Sequence, residues 1–292
     1  MTRKEGYLVL DKILKDMRID YTSLDTILKS DRVEQFGRME SKNFSFVYLG
    51  FKYFYKPCTL NHIDPYFELI AEELLADFNL PSVSYDLATV AGVKGVISKD
   101  FRKEGANYIS GSELLKNFYK DDSSRYNNLE DIWYALEYRY RDNPNKDTIV
   151  SNLMNRFVDL FIFDIFTNQR DRHSNNYQIM EYNNQVDIAP VCDNEDVNNF
   201  ISSSIMVDRL GYIDIDENLK HFIEVSDSKY SDRMLSKLWV IDKDNLEKIF
   251  VRIEVKTGYR IPRYIRDDYL NKFSIHRSKI RNIINRNSLR KR

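Results

Sequence analysis

Between Thr148 and Ile165 the chain sets Val150, Leu153, Met154, Phe157, Val158, Phe161, Ile162 and Ile165 at helical spacing. The stripe then runs directly into Asn168-Gln169-Arg170-Asp171-Arg172-His173-Ser174-Asn175-Asn176, a stretch with almost no apolar content. A helix with so continuous an apolar face has to cross a core, and Thr148 is the expected cap. The polar run is therefore delivered to the end of that core. Two β-prone arms follow, Tyr177 to Tyr182 and Gln185 to Val191, around Asn183-Asn184, which is turn chemistry for a two-residue hairpin loop. If Tyr182 faces Gln185, the register sets Asn176 opposite Val191 and brings it near Asp193. An amide oxygen and a carboxylate at neighbouring strand ends are hard ligands suited to Mg²⁺, which keeps waters and takes one or two carboxylates. Asp171, five residues upstream on the same loop, is placed to take a proton from a hydroxyl nucleophile, as phosphoryl transfer requires.

Composition narrows what such a site can serve. With 292 residues the chain makes one large or two modest domains. Lys and Arg total 44 against 45 Asp and Glu, a net charge of −1, so no global field invites nucleic acid or an anionic membrane, and no specific nucleic-acid partner is expected. Twenty Tyr, 17 Phe and two Trp are too many large apolar groups for a disordered chain. The two cysteines, Cys58 and Cys192, make neither a disulfide framework nor a zinc site, and Cys192 is expected to be a small buried apolar residue. The N-terminus offers only Tyr7 to Leu10 as an apolar run, and Phe157 to Phe166 is interrupted by Asp159 and Asp164. Neither is a signal peptide or a membrane span. The expectation is a soluble, cytoplasmic protein without membrane insertion, with secretion by a signal-less route left open.

The remaining segments give a coarse element order. Leu10, Ile13, Leu14 and Met17 predict a short amphipathic helix over 8–17. Phe44 to Tyr55 reads as a hairpin turning at Leu49-Gly50-Phe51-Lys52 and ending at Lys56-Pro57. Pro65 opens a helix carrying Phe67, Ile70, Ala71, Leu74, Leu75 and Phe78, and Asn79 and Pro81 stop it. Short strands are expected near Ser82 to Thr89 and Lys94 to Ser98, then a polar connector, then helices near Glu113 to Phe118 and Leu129 to Tyr140. Residues 200–292 read as several helices broken at Pro262, ending in a basic stretch from Arg277.

Taken in order, these segments resemble the HipA-like serine/threonine kinases, which share a protein-kinase-like and phosphoinositide-kinase-like fold. The resemblance rests on Asn168-x-x-Asp171-Arg172-His173-x-x-Asn176 and its hairpin, and on Ile188-Ala-Pro-Val-Cys-Asp193-Asn194. It also rests on Tyr53-x-Tyr55-Lys56-Pro57 and the helix from Glu68 to Pro81, so that the matches run from about Gly37 to Asp193. It implies an α+β, two-lobed kinase fold: an N-terminal extension over 1–30, a small β-rich lobe over 31–98 and a larger, mainly helical lobe over 99–292, with ATP in the cleft between the lobes. Carried over residue by residue, it implies Asp171 as catalytic base and Asn176 and Asp193 as Mg²⁺ ligands. Lys56 becomes the cation on the ATP phosphates, held by an ion pair with Glu68; Glu72, one turn later, is the competing candidate. The segment Gly37 to Asn43 looks like the Ser-Lys loop of this group rather than a glycine-rich one. Backbone amides around Ser41, Lys42 and Asn43 would cradle phosphate there, with the Lys42 charge assisting. Ser41 is either an autophosphorylation site or a surface turn serine. His173 is expected to buttress the loop rather than move protons.

The implied reaction is Mg²⁺-dependent transfer of the ATP γ-phosphoryl group to a Ser or Thr hydroxyl of a protein partner. Barely 35 residues precede Gly37, so the chain reads as a compact, stand-alone member. A phosphoinositide-kinase-like lipid kinase is the enzymatic rival, disfavoured by the near-neutral charge. A non-catalytic pseudokinase is the binding-module rival, and a scaffold has no chemical need for Lys56, Asp171, Asn176 and Asp193 together. Toxin-like, effector and signalling roles remain open, as does the oligomeric state.

Overall fold

The structure is a computed structural model, and it describes residues 22–23, 33–35, 44–57, 66–90, 93–120, 129–167, 169, 172–192 and 241–290. The expected helix over 8–17 and everything between 193 and 240 lie outside the described residues. The chain divides into two compact units, Met1–Leu69 with Ser84–Phe101 and Ile70–Val83 with Arg102–Arg292.

The first unit is built on a six-stranded sheet. Its strands are β1 (Thr22–Ser23), β2 (Val33–Gln35), β3 (Phe44–Tyr48), β4 (Phe51–Pro57), β5 (Tyr85–Val90) and β6 (Val93–Lys99), in the order β1-β5-β6-β4-β3-β2. Among the described strands of this sheet, only β1 and β5 pair in parallel. The turn between β3 and β4 is shorter than the sequence suggests, because Leu49 and Gly50 both take positive φ, 49° and 79°. Two such residues close a hairpin whose twist matches its strands, so Phe51 and Lys52 join β4 instead of the turn. That register sets Phe46 directly across from Tyr53, where the rings stack at 5.6 Å. They form a core with Tyr55, Ala88 and Ile97. β4 thus lies inside the sheet, flanked by β3 and β6, and Lys56 sits near its end opposite Val96. The strands approach closely there: a Cβ on Gly95 would come within 2.4 Å of the Lys56 carbonyl oxygen, so only glycine fits.

α1 (Tyr66–Asp77) follows, with its first four residues clustering with the first unit and the rest with the second. The second unit holds α2 (Gly111–Tyr119), α3 (Leu129–Arg139), α4 (Lys146–Thr167), α5 (Lys243–Thr257) and α6 (Arg263–Arg290). A small sheet in the order β7-β8-β9 joins β7 (Asn107–Ser110), β8 (Gln178–Tyr182) and β9 (Gln185–Ile188). α4 begins two residues before Thr148, the expected cap, and the Ile149 N–H donates to the Asn145 carbonyl at 3.0 Å. Its second half is buried nearly all round: Leu160, Phe163 and Phe166 are sealed as fully as Phe157, Val158 and Ile162, while Phe161 is half-buried. The helix is central, with Phe163 edge-on to Phe78 at 5.7 Å, Phe166 against Phe273 of α6 at 5.1 Å and Phe157 edge-on to Tyr177 at 5.3 Å. A one-sided stripe understates a helix enclosed by neighbours on several faces. Among the described residues, no helix is long and apolar enough to cross a membrane.

Candidate active site

Lys56 and Glu68 are joined in the first unit. Lys56 Nζ donates to Glu68 Oε1 at 2.7 Å, with the glutamate side chain 4% exposed and the lysine 20%. The carboxylate occupies the first turn of α1, where the helix dipole favours negative charge. Glu72, the rival partner, belongs to the second unit and is engaged there by Lys256 Nζ at 2.7 and 2.8 Å.

The second unit carries the polar loop after α4. Its shape is held by main-chain acceptors. The Asn176 N–H donates to the His173 carbonyl at 2.8 Å, closing a turn, and the Asn175 N–H donates to His173 Nδ1 at 3.2 Å, so this histidine does buttress the loop. The start of α2 supplies two more donors: the Gly111 N–H reaches the Tyr177 carbonyl at 3.1 Å and the Ser112 N–H reaches the Ser174 carbonyl at 2.9 Å. This approach requires glycine, because a Cβ on Gly111 would fall 2.1 Å from the Tyr177 ring.

The residue that organises this region is Arg172, which is fully buried. Its Nε and Nη2 meet the Asp164 carboxylate at 3.2 to 3.3 Å, and its Nη1 donates to the carbonyls of Asn176 and Cys192, each at 3.1 Å. A planar fork with five donors can serve three acceptors in this way; a lysine cannot. Burial raises the Asp164 carboxyl, to about 6 once the opposing pull of the guanidinium is included. One guanidinium nitrogen therefore ties Asn176, 9% exposed, to the residue directly preceding Asp193.

The hairpin keeps the register its turn dictates. Asn183 and Asn184 take φ of 50° and 61°, and Tyr182 faces Gln185. The Ala189 N–H still donates to the Gln178 carbonyl at 2.8 Å, but the pairing stops short of Asn176 and Val191. Val191 leaves to join the segment after α1, with its N–H on the Pro81 carbonyl at 2.8 Å and its carbonyl accepting from Val83 at 3.0 Å. Cys192, expected to be buried, is half-buried. Asp171, Asp193 and Ser41 to Asn43 lie outside the described residues.

Sequence reasoning quoted Arg172 without giving it a task and read Asp164 only as a break in an apolar run. The signal was present: an acid in the last turns of a core helix needs a buried cation, and Arg172 follows eight residues later. A cavity of about 320 Å³ is lined by Leu114, Asn117, Ala135, Tyr138, Arg139 and Arg141, and none of the candidate site residues lines it. Among the described residues no three His, Cys, Asp or Glu side chains gather as a metal cluster. The oxygen-only pair Asn176 and Asp193 fits the donor chemistry of Mg²⁺, which needs few protein ligands.

No protein-family model matches the sequence, and no curated protein matches it. Solved structures do. The Helicobacter pylori proinflammatory kinase CtkA superposes with a TM-score of 0.61 at 18% identity, covering 86% of this chain and 93% of that one. HipA from the Shewanella oneidensis MR-1 toxin–antitoxin complex with HipB and operator DNA superposes with a TM-score of 0.51 at 12% identity, over 88% of this chain and 66% of that one. The choline kinase LicA from Streptococcus pneumoniae, with 14% identity over 94% of this chain and 99% of that one, reaches a TM-score of only 0.31, too low to bear on the fold. The small antiparallel-sheet unit, the helical unit and these superpositions together establish the fold as that of the HipA-like kinases.

Proposed function

We propose that this chain is an ATP- and Mg²⁺-dependent protein serine/threonine kinase, able to phosphorylate itself. The observation that carries the reading is the Lys56–Glu68 pair at 2.7 Å, a cation on an inner strand oriented by a carboxylate in the helix that follows. Such a pair holds an ammonium ready for phosphate oxygens, and phosphoryl transfer depends mostly on positioning and charge neutralisation. Kinase chemistry is supported by the likeness to a proinflammatory kinase across nearly the whole of both chains, and the protein acceptor by the resemblance of the sequence motifs to the HipA-like serine/threonine kinases.

In this reading Lys56 binds the ATP phosphates, with the amides of Ser41 to Asn43 beside them and the Lys42 charge assisting. Mg²⁺, when bound, neutralises the charge that develops on the phosphates, and Asn176 and Asp193 are the residues that would hold it. Asp171 takes the proton of the acceptor hydroxyl as its oxygen bonds to the γ-phosphorus and the bond to ADP breaks. Arg172 keeps Asn176 and the chain before Asp193 in fixed relation.

The test is phosphate incorporation from Mg²⁺-ATP by the purified protein and by Asp171→Ala, with labelled residues mapped by mass spectrometry. Label on Ser or Thr that disappears in the variant supports a protein kinase. Nucleotide binding without incorporation points to a lipid or small-molecule acceptor, and absence of nucleotide binding sinks the reading.

A further inference from the structure

Within the second unit α2 and α3 pack together, Leu114 and Leu115 buried on one and Ile132, Ala135 and Leu136 on the other. The Tyr119 hydroxyl donates to Asp131 Oδ1 at 2.5 Å and fixes one end of the pair. Nearer the other end lies the cavity of about 320 Å³, with Leu114 and Asn117 of α2 on one wall and Ala135, Tyr138 and Arg139 of α3, then Arg141, on the other. That volume is at the lower end of what ligand-holding clefts offer. The lining carries two cations and no carboxylate.

The surroundings are aromatic and open to water. Trp133, Tyr134 and Tyr138 are 42%, 42% and 37% exposed, three large side chains within six residues. Phe118 of α2 joins them, stacked on Tyr134 at 6.4 Å and tilted against Tyr138 at 5.6 Å. A single exposed aromatic is ordinary, but Tyr, Trp and Arg gathered at one cleft are the residue types that protein interfaces concentrate.

The two arginines are not equivalent. Arg139 commits Nε and Nη2 to Glu181 Oε1, at 3.1 and 2.9 Å. Arg141 is held instead by Tyr138: its Nη1 donates to the Tyr138 carbonyl at 3.1 Å and its guanidinium lies 4.3 Å from the centre of that ring. The carboxylate at its Nε, Asp142 at 3.3 Å, is 89% exposed, and a pair so open to water contributes little. Arg141 is thus oriented without being neutralised. Glu137, also on α3, is taken by Lys146 at 2.5 Å. Because the whole chain has a net charge of −1, any pull on an anion at this cleft is local.

We propose that the cleft between α2 and α3 docks an acidic segment of a partner protein. Arg141 and the exposed Asn117 amide receive a carboxylate of that segment, and apolar side chains beside it lie on Phe118, Tyr134 and Tyr138. Docking requires no nucleotide, so the inference stands apart from the kinase reading.

The test is calorimetric titration of the full chain, without nucleotide, with a six-residue peptide alternating glutamate and leucine and blocked at both ends. Binding is expected with a Kd on the order of 100 μM, and the glutamine–leucine and lysine–leucine versions should bind at least about tenfold more weakly. Arg141→Glu weakens the acidic peptide by about tenfold or more, Arg141→Gln by about threefold and Tyr134→Ala by about threefold. Both positions are exposed, so thermal unfolding midpoints stay near wild type and report that the variants are folded. Arg263→Glu makes the same charge change on a side chain that is 93% exposed on α6, and leaves binding unchanged. No binding of the acidic peptide by wild type, equal binding of the glutamine–leucine peptide, or Arg141→Glu within about twofold of wild type overturns the proposal. A loss in Arg263→Glu as large as in Arg141→Glu overturns it in favour of a general field effect. Inorganic phosphate bound through Arg141 while the peptide is not overturns it in favour of a small-anion site.

Discussion

Asp164–Arg172 and Lys56–Glu68 are both carboxylate–cation pairs at hydrogen-bonding distance, yet they are solvated differently. The first is sealed, its two side chains 1% and 0% exposed, and its guanidinium is further committed to two backbone carbonyls. The second leaves the ammonium 20% exposed, and Lys56 lies near the end of its strand. Desolvation makes a buried pair costly to break, because the survivor is left charged in an apolar interior. A part-exposed cation keeps water as a substitute partner. The difference separates a sealed pair that builds the loop from one whose cation stays partly exposed, as the nucleotide role proposed for Lys56 requires, and one cation at a time can test it.

The largest effect belongs to Arg172. Arg172→Met leaves Asp164 buried and unpaired and should cost about 3 to 5 kcal/mol of stability, read as a denaturant midpoint shift. Asp164→Asn in the same chain should recover part of it, and a loss under about 1 kcal/mol would show that the pair is not truly desolvated. Next, Lys56→Ala should lower phosphate transfer by about a hundredfold or more while costing about 1 to 3 kcal/mol of stability, less than Arg172→Met, because the carboxylate that loses its ammonium, Glu68, is itself 4% exposed. A stability loss matching that of Arg172→Met would erase the contrast. Glu68→Gln keeps a hydrogen bond but removes the charge, so transfer should drop by about tenfold with a raised KM for ATP, measured by steady-state kinetics. The smallest effect is Asn184→Gly: glycine suits the φ of 61° at least as well, so the unfolding midpoint should move by less than about 0.5 kcal/mol.

Local chemistry was legible in the sequence where it acts alone. Asn183-Asn184 specified both the turn and the Tyr182–Gln185 register, because positive φ at two adjacent residues admits few alternatives. Proline and asparagine ended α1 where expected. What the sequence concealed was non-local. Val191 abandons its hairpin for Pro81 to Val83, a pairing set by packing between segments over a hundred residues apart. β7 is a four-residue strand in a stretch read as polar connector, and only its contact with β8 defines it. The choice between Glu68 and Glu72 was undecidable by spacing; in the structure Lys56 pairs with Glu68, while Glu72 pairs with Lys256, nearly two hundred residues away in sequence. The polar loop after α4 stood out because its residue types are unusual, whereas its support was missed because Arg172 works from inside.

The grip on that loop has a consequence for how such a chain can change over generations. Arg172 and the first amides of α2 hold it through the carbonyls of Ser174, Asn176, Tyr177 and Cys192, and every amino acid brings a carbonyl. Much of the shape is thereby encoded in a few donors and in one glycine, Gly111, with the His173 ring the side-chain acceptor beside them. Mutation can rewrite what the loop does without first having to reinvent how it is held.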